Sequence, residues 1–133
     1  EFTISDSEGN DRTDSLLSIP GKLDILCAKS IMPLEEEVAE RFGAVVRYAA
    51  IEDTVICLTP EKLVGEQTIT FAGAPAVKCY NMDAKSLKTV IRADYGLVEL
   101  DNGTIVEKFM CFVNHRFFKR FYLVFISNSY IPF

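Results

Sequence analysis

The chain has 133 residues, of which 49% are apolar and 25% are charged. These proportions exclude extended disorder, and the length fits one compact domain with its own apolar core. The formal net charge of −5 is unevenly distributed, because residues 108–133 carry +4 and residues 1–107 carry −9. An acidic average therefore does not exclude a local surface that binds anions.

The N-terminal residues are polar and acidic, and they predict an acidic leader over residues 1–21 that is flexible or forms an edge element. No apolar run reaches the ~20 residues that a membrane-spanning helix needs. The start of the chain also lacks the pattern of a signal peptide. We therefore expect an intracellular protein without a membrane partner, the nucleus being one option.

The four cysteines lie far apart in apolar, strand-like runs, at Cys27, Cys57, Cys79 and Cys111. Close Cys-x-x-Cys pairs, which bind zinc, do not occur. Reduced, buried cysteines are the expected state, and two disulfides of a secreted protein remain the alternative. The single histidine, His115, has no second histidine with which to share a metal. We predict no metal site and no cofactor.

An internal repeat of about 53 residues is the main pattern along the chain. Both copies place apolar residues at i, i+4 and i+8, which follow one face of a helix, and a glycine comes directly after the last of them. A glycine in this position is typical of a helix C-cap. The aligned pairs are Leu34 with Leu87, Val38 with Ile91, Phe42 with Tyr95, Gly43 with Gly96, and Val45 with Val98.

Strand-like runs flank both predicted helices, and the second helix begins after a candidate N-cap, Asp83. A tight hairpin is predicted at Asp101-Asn102-Gly103. The runs are residues 23–27, 44–48, 54–58 and 67–71 in the first copy, and 76–80, 97–100, 106–113 and 121–125 in the second.

The repeating unit is therefore β-α-β-β-β. The predicted fold class is α+β: one duplicated domain over residues 22–133, with mainly antiparallel sheets and two helices on one side. The first repeat takes residues 22–73 and the second takes residues 74–133.

Residues 76–92 form a strand followed by a helix of leucine-lysine-x-valine character, and residues 97–125 follow with three strands. This layout resembles one domain of the DNA sliding-clamp family, which includes proliferating cell nuclear antigen and the checkpoint clamp. The resemblance covers residues 22–126. It implies a non-catalytic scaffold, processivity or checkpoint subunit on duplex DNA, assembled as an oligomer with other clamp-like subunits or domains.

The resemblance also implies which residues face the DNA backbone. Lys85, Lys88 and Arg92 are spaced i, i+3 and i+7, so one helical face would carry all three positive charges. The basic C-terminal end adds Arg116, Lys119 and Arg120 as nucleic-acid candidates. The aromatic residues among them are the candidate partner interface: Phe117, Phe118, Phe121 and Tyr122.

Two other functions remain open. The first predicted helix carries Glu35, Glu36, Glu37 and Glu40, which favours a protein-interaction scaffold without nucleic-acid contact. Aromatic and basic residues alternate over residues 109–133, which favours a cold-shock or OB-like binder of single strands. No Ser-His-Asp order, P-loop or dinucleotide fingerprint is present, so we do not expect an enzyme.

Overall fold

The computed structural model describes residues 2–31, 34–49, 53–65 and 67–111. These ranges contain three helices and six strands. In chain order the elements are α1 (Thr13–Leu17), β1 (Lys22–Ala28), α2 (Glu36–Ala49), β2 (Thr54–Thr59), β3 (Thr68–Ile69), β4 (Val77–Asn81), α3 (Ala84–Val90), β5 (Tyr95–Asp101) and β6 (Thr104–Cys111).

The six strands form one mixed sheet in the order β3-β4-β2-β1-β5-β6. Strands β1, β2 and β4 are parallel at its centre, and β5, β6 and β3 add antiparallel pairs on the two sides. The parallel pairing of β1 with β2 requires a crossover, which α2 supplies. The α+β class is confirmed, but the centre of the sheet is parallel.

The two faces of the sheet are covered by different helices. Because side chains alternate along a strand, Leu26 and Leu97 point to the face covered by α2, and Ile25 and Val98 point to the other face. Helices α1 and α3 cover that second face through Leu16 and Leu87. The prediction that both repeat helices lie on one side is not confirmed, because the connection from β4 to β5 passes over the opposite face.

Helix α2 is longer than the sequence pattern predicted, so the predicted strand at residues 44–48 is wrong. Val45 and Val46 favour strands by propensity, but both are buried within the helix with Val38, Phe42 and Ala49. The repeat is not confirmed at this point, because Val45 lies in a helix and its aligned residue Val98 lies in β5.

Gly43 and Gly96 allow close packing and do not end helices. A Cβ atom at Gly43 would lie 2.5 Å from the carbonyl oxygen of Phe71, and one at Gly96 would lie 2.5 Å from that of Phe109. Both distances are shorter than real Cβ contacts. The predicted C-caps are therefore wrong, since glycine is needed at both positions to let two backbone segments approach.

Other local predictions are confirmed. Asp83 caps α3 by accepting a hydrogen bond from the backbone N–H of Ser86 at 3.1 Å. Asn102 and Gly103 have φ angles of 50° and 82°, as a tight turn between two twisted strands requires. The strands predicted around residues 23–27, 54–58, 76–80 and 97–100 are present.

The segment predicted as an acidic leader packs against the domain over residues 2–21. Ile4 and Leu16 are buried in the layer that covers the α3 face. Ser5 exchanges two backbone hydrogen bonds with Asn81, of 2.9 and 2.8 Å. This segment therefore extends the β4 edge of the sheet.

Within the described ranges, no helix combines the length and the apolarity that crossing a membrane would require.

Replacing Gly43 with alanine tests the close approach of α2 to Phe71. Alanine raises helix propensity by about 1 kcal/mol, but overpacking against backbone costs about 1–3 kcal/mol. We expect a net loss of about 1 kcal/mol in the free energy of unfolding, measured by urea denaturation. Glu40→Ala, at an exposed position of the same helix, is the control and should change stability by less than about 0.5 kcal/mol. A stabilised Gly43→Ala variant would contradict the contact.

Candidate functional site

The predicted DNA-facing residues do not form one stripe on a helix. Lys85 and Lys88 are exposed on α3, but the helix ends at Val90, so Arg92 lies beyond it. The Lys88 ammonium group forms an ion pair with Asp94 at 3.1 Å. The remaining candidates lie outside the described residues: Arg116, Lys119, Arg120, Phe117, Phe118, Phe121 and Tyr122.

The structure instead brings two cysteines together on neighbouring parallel strands. Cys57 of β2 and Cys79 of β4 are Cα partners in the register of the sheet. Both side chains belong to the core layer under α2. Cys27 of β1 belongs to the opposite layer, because the register pairs Leu26 with Cys57. Sheet topology therefore selects one pair from these three free cysteines.

The two thiols interact, and the interaction makes them chemically unequal. Interaction with Cys79, together with burial, raises the pKa of the Cys57 thiol well above its ordinary value. The Cys57 thiol also forms a weak hydrogen bond of 4.0 Å to the carbonyl oxygen of Leu58. Interaction with Cys57 lowers the pKa of Cys79, and burial opposes that effect. Cys57 therefore keeps its proton, and Cys79 is the sulfur on which a thiolate is stabilised.

Cys27 provides the contrast within the same sheet. Burial raises the pKa of its thiol to about 12, and the charge of Lys108 opposes this only in part. Its only described thiol contact is a weak one of 3.8 Å to the carbonyl oxygen of Ile25. Because the thiolate is the reactive form of cysteine, Cys27 is expected to be inert in the folded chain.

The thiol pair lies next to a solvent-open pocket. Cys57 and Cys79 are 0% and 2% exposed. Cys79 is nevertheless one of the residues that line a polar pocket of about 220 Å³ at the β4 edge, together with Gln67, Lys78 and Arg12. The pocket exists because β3 and the N-terminal segment pair with different parts of β4. Cys79 is therefore the member of the pair that lies at the edge of this pocket.

Three carboxylates form a second cluster, which the sequence did not indicate. Asp24 and Glu99 are register partners on β1 and β5, and their carboxylate oxygens lie within 4.8 Å of each other and of Asp53. Such oxygens are the ligands that hard cations prefer. Asp24 and Glu99 are buried, and each takes part in an interaction within the protein.

An apolar cavity of about 250 Å³ lies on the α3 face, between the N-terminal segment, α1 and the sheet. Its lining includes Ile4, Leu17, Ile25, Leu58 and Met82. The hydroxyl of Thr13 accepts a hydrogen bond of 2.8 Å from the N–H of Ile4, so this polar group of the lining is already satisfied. The cavity and the thiol pair lie on opposite faces of the sheet.

Comparison with known proteins supports a different fold from the one the sequence suggested. No family model and no curated protein matches the chain. Among solved structures, the chain is similar to the pneumococcal exposed lipoprotein thioredoxin of Streptococcus pneumoniae strain TIGR4, with a TM-score of 0.50 and 14% identity. The match covers 91% of this chain and 96% of that one. At this identity the likeness concerns the fold alone, and it points to a thioredoxin-like fold.

The sliding-clamp resemblance is therefore wrong, as is the clamp function on duplex DNA that it implied. The prediction needed mainly antiparallel sheets with both helices on one side, and the centre of this sheet is three parallel strands. Neither the interaction scaffold nor the single-strand binder is supported. The expectations about partners, location and the absence of enzymatic activity stay predictions.

Sequence reasoning also missed the thiol pair. The sequence predicted reduced, buried cysteines that lie far apart along the chain, whereas the structure places Cys57 opposite Cys79. Alternation within the apolar runs indicated which residues share a face of one strand. The order of strands in a parallel sheet, which decides the partner, cannot be read from that pattern.

Alkylation of the native chain tests the difference between the thiols. At about pH 8, iodoacetamide should modify Cys79 faster than Cys27, because a lowered pKa increases the thiolate fraction and a raised pKa removes it. Peptide mapping separates the four cysteines, and unfolding in urea should abolish the difference. Equal native rates for Cys27 and Cys79 would contradict the assignment.

Proposed function

We propose that this chain carries out thiol–disulfide redox chemistry through Cys57 and Cys79, which interconvert between a dithiol and a disulfide. The observation that supports the proposal most directly is that Cys57 and Cys79 are register partners on adjacent strands, with both side chains in one core layer. The structural neighbour is described as a thioredoxin, which favours the same class of chemistry.

The usual sequence signal of a thioredoxin-like dithiol is a Cys-x-x-Cys motif near a β-α-β unit. The chain has such a unit in β1-α2-β2, but no two of its cysteines are spaced in this way. The proposed dithiol therefore uses two strands in place of one helix terminus. The pairing of β2 with β4 brings the two cysteines close together, as the short spacing does in a Cys-x-x-Cys motif.

The geometry suits a disulfide without a change of strand pairing. Neighbouring strands lie about 4.8 Å apart, and disulfides join Cα atoms that are about 4.4–6.8 Å apart. Cys57 and Cys79 occupy one register position, and both side chains face the same core layer. A bridge between them therefore needs no change in the register of β2 with β4.

The two sulfurs have separate roles in the proposed reaction. Oxidation forms one S–S bond and passes two electrons and two protons to a peroxide or disulfide oxidant. Cys79 attacks first, since its thiolate is stabilised by the Cys57 thiol. Cys57 then attacks the oxidised Cys79 sulfur, and a proton leaves Cys57 as the S–S bond forms. Reduction by a dithiol reverses the change.

Disulfide mapping with three cysteine variants tests this function. The reduced chain is treated with diamide, a small thiol oxidant, the remaining thiols are blocked, and the peptides are analysed by mass spectrometry. We expect a linked Cys57–Cys79 peptide that disappears in Cys57→Ala and in Cys79→Ala. Dithiothreitol should restore both thiols.

Cys27→Ala is the matched control, since Cys27 is equally buried in the same sheet but faces the other layer. This variant should still form the Cys57–Cys79 bridge to the same extent as the unsubstituted chain. Circular dichroism establishes that each variant is folded before oxidation. A chain that remains folded and links other cysteines, without the Cys57–Cys79 peptide, would overturn the proposed function.

A further inference from the structure

We propose that the oxidant of the Cys57–Cys79 pair is hydrogen peroxide, and that the disulfide of another protein does not serve as its substrate. This inference rests on the proposed function and identifies the class of molecule that reaches the pair. The observations that support it are the burial of both thiols and the small pocket beside Cys79.

Burial excludes a bulky reaction partner. Thiol–disulfide exchange requires the thiolate to contact a sulfur of the incoming disulfide. A protein disulfide carries polypeptide on both sulfurs, and that bulk must approach along with the sulfur. Cys57 and Cys79 are 0% and 2% exposed, in the same core layer as Phe42 and Phe71. Contact with a protein disulfide would require this layer to open.

The pocket beside Cys79 suits a small polar oxidant. Its volume of about 220 Å³ compares with about 30 Å³ for one water molecule in the liquid, so it has room for peroxide among several waters. The lining includes Ser7, Gln67 and Lys78, which supply hydrogen-bond donors and acceptors. Hydrogen peroxide also donates and accepts hydrogen bonds, and it has only two heavy atoms.

The reaction balances with peroxide as the only co-reactant. The Cys79 thiolate attacks one peroxide oxygen, an S–O bond forms, the O–O bond breaks, and the departing hydroxide takes the proton that the Cys79 thiol released on ionisation, which gives water. Cys79 is then a sulfenic acid. Cys57 attacks its sulfur, the S–S bond forms, the S–O bond breaks, and the oxygen leaves as a second water with the proton of Cys57. Two thiols and one peroxide give one disulfide and two waters.

The proximity of Cys57 also determines what happens to the sulfenic acid. A sulfenic acid without a neighbouring thiol is oxidised further by peroxide to sulfinic acid, which is not readily reversed. Cys57 is the register partner of Cys79, and its side chain lies in the same core layer. Cys57 can therefore react with the sulfenic acid before a second peroxide molecule does, so that the oxidation of the pair remains reversible.

The test compares three oxidants on the reduced, folded chain: hydrogen peroxide, diamide, and insulin as a protein disulfide. Intact mass and peptide mapping follow the Cys57–Cys79 bridge over time. At equal concentrations, we expect peroxide to form the bridge about tenfold faster than insulin or more. Cys57→Ala should accumulate a sulfenic acid at Cys79 that dimedone traps, and Cys27→Ala should behave like the unsubstituted chain.

Each outcome decides one of the two proposals. Failure of diamide to form the Cys57–Cys79 bridge in the folded chain would overturn the proposed function itself. A bridge that forms with diamide but forms with insulin as fast as with peroxide would overturn the peroxide inference alone. A bridge that forms with diamide and not with peroxide would overturn it as well.

Discussion

The parallel pairing of β2 with β4 is the constraint on which the candidate site depends. In its register Cys57 is opposite Cys79, and both thiols point into the layer under α2. A shift of one residue would move one thiol to the opposite face, because side chains alternate along a strand. The chemical difference between the two sulfurs follows from this register, since the interaction between the two thiols is the first cause of each pKa shift.

The packing around Cys57 and Cys79 determines how much of their side chains is exposed to solvent. Gly43 lets α2 approach the Phe71 backbone, and this approach closes the layer over the thiols. On the other side, the backbone N–H of Cys79 donates to Gln67, and Ser5 pairs with Asn81. The space between these two contacts is the pocket that Cys79 lines. Because both thiols are buried and the pocket beside Cys79 is small and polar, the site favours small reactants over large ones.

Local features of this fold could be predicted from the sequence, and long-range ones could not. The Asp83 cap and the Asn102-Gly103 turn depend on neighbouring residues, so their patterns were sufficient. The extension of α2 through Val45 depends on burial against distant strands, which overrode its strand propensity. The thiol pair depends on strand order, and a repeat aligned along the chain carries no information about which parallel strands become neighbours.

Nuclear magnetic resonance of the full chain tests the central claim most directly. The account predicts NOEs between β2 and β4 that place Cys57 opposite Cys79 in the reduced chain. On oxidation, the Cβ chemical shifts of these two residues should move together to the range of disulfide-bonded cysteine, while that of Cys27 stays in the reduced range. An absence of NOEs between β2 and β4, or a joint shift of Cys27 with either residue, would contradict it.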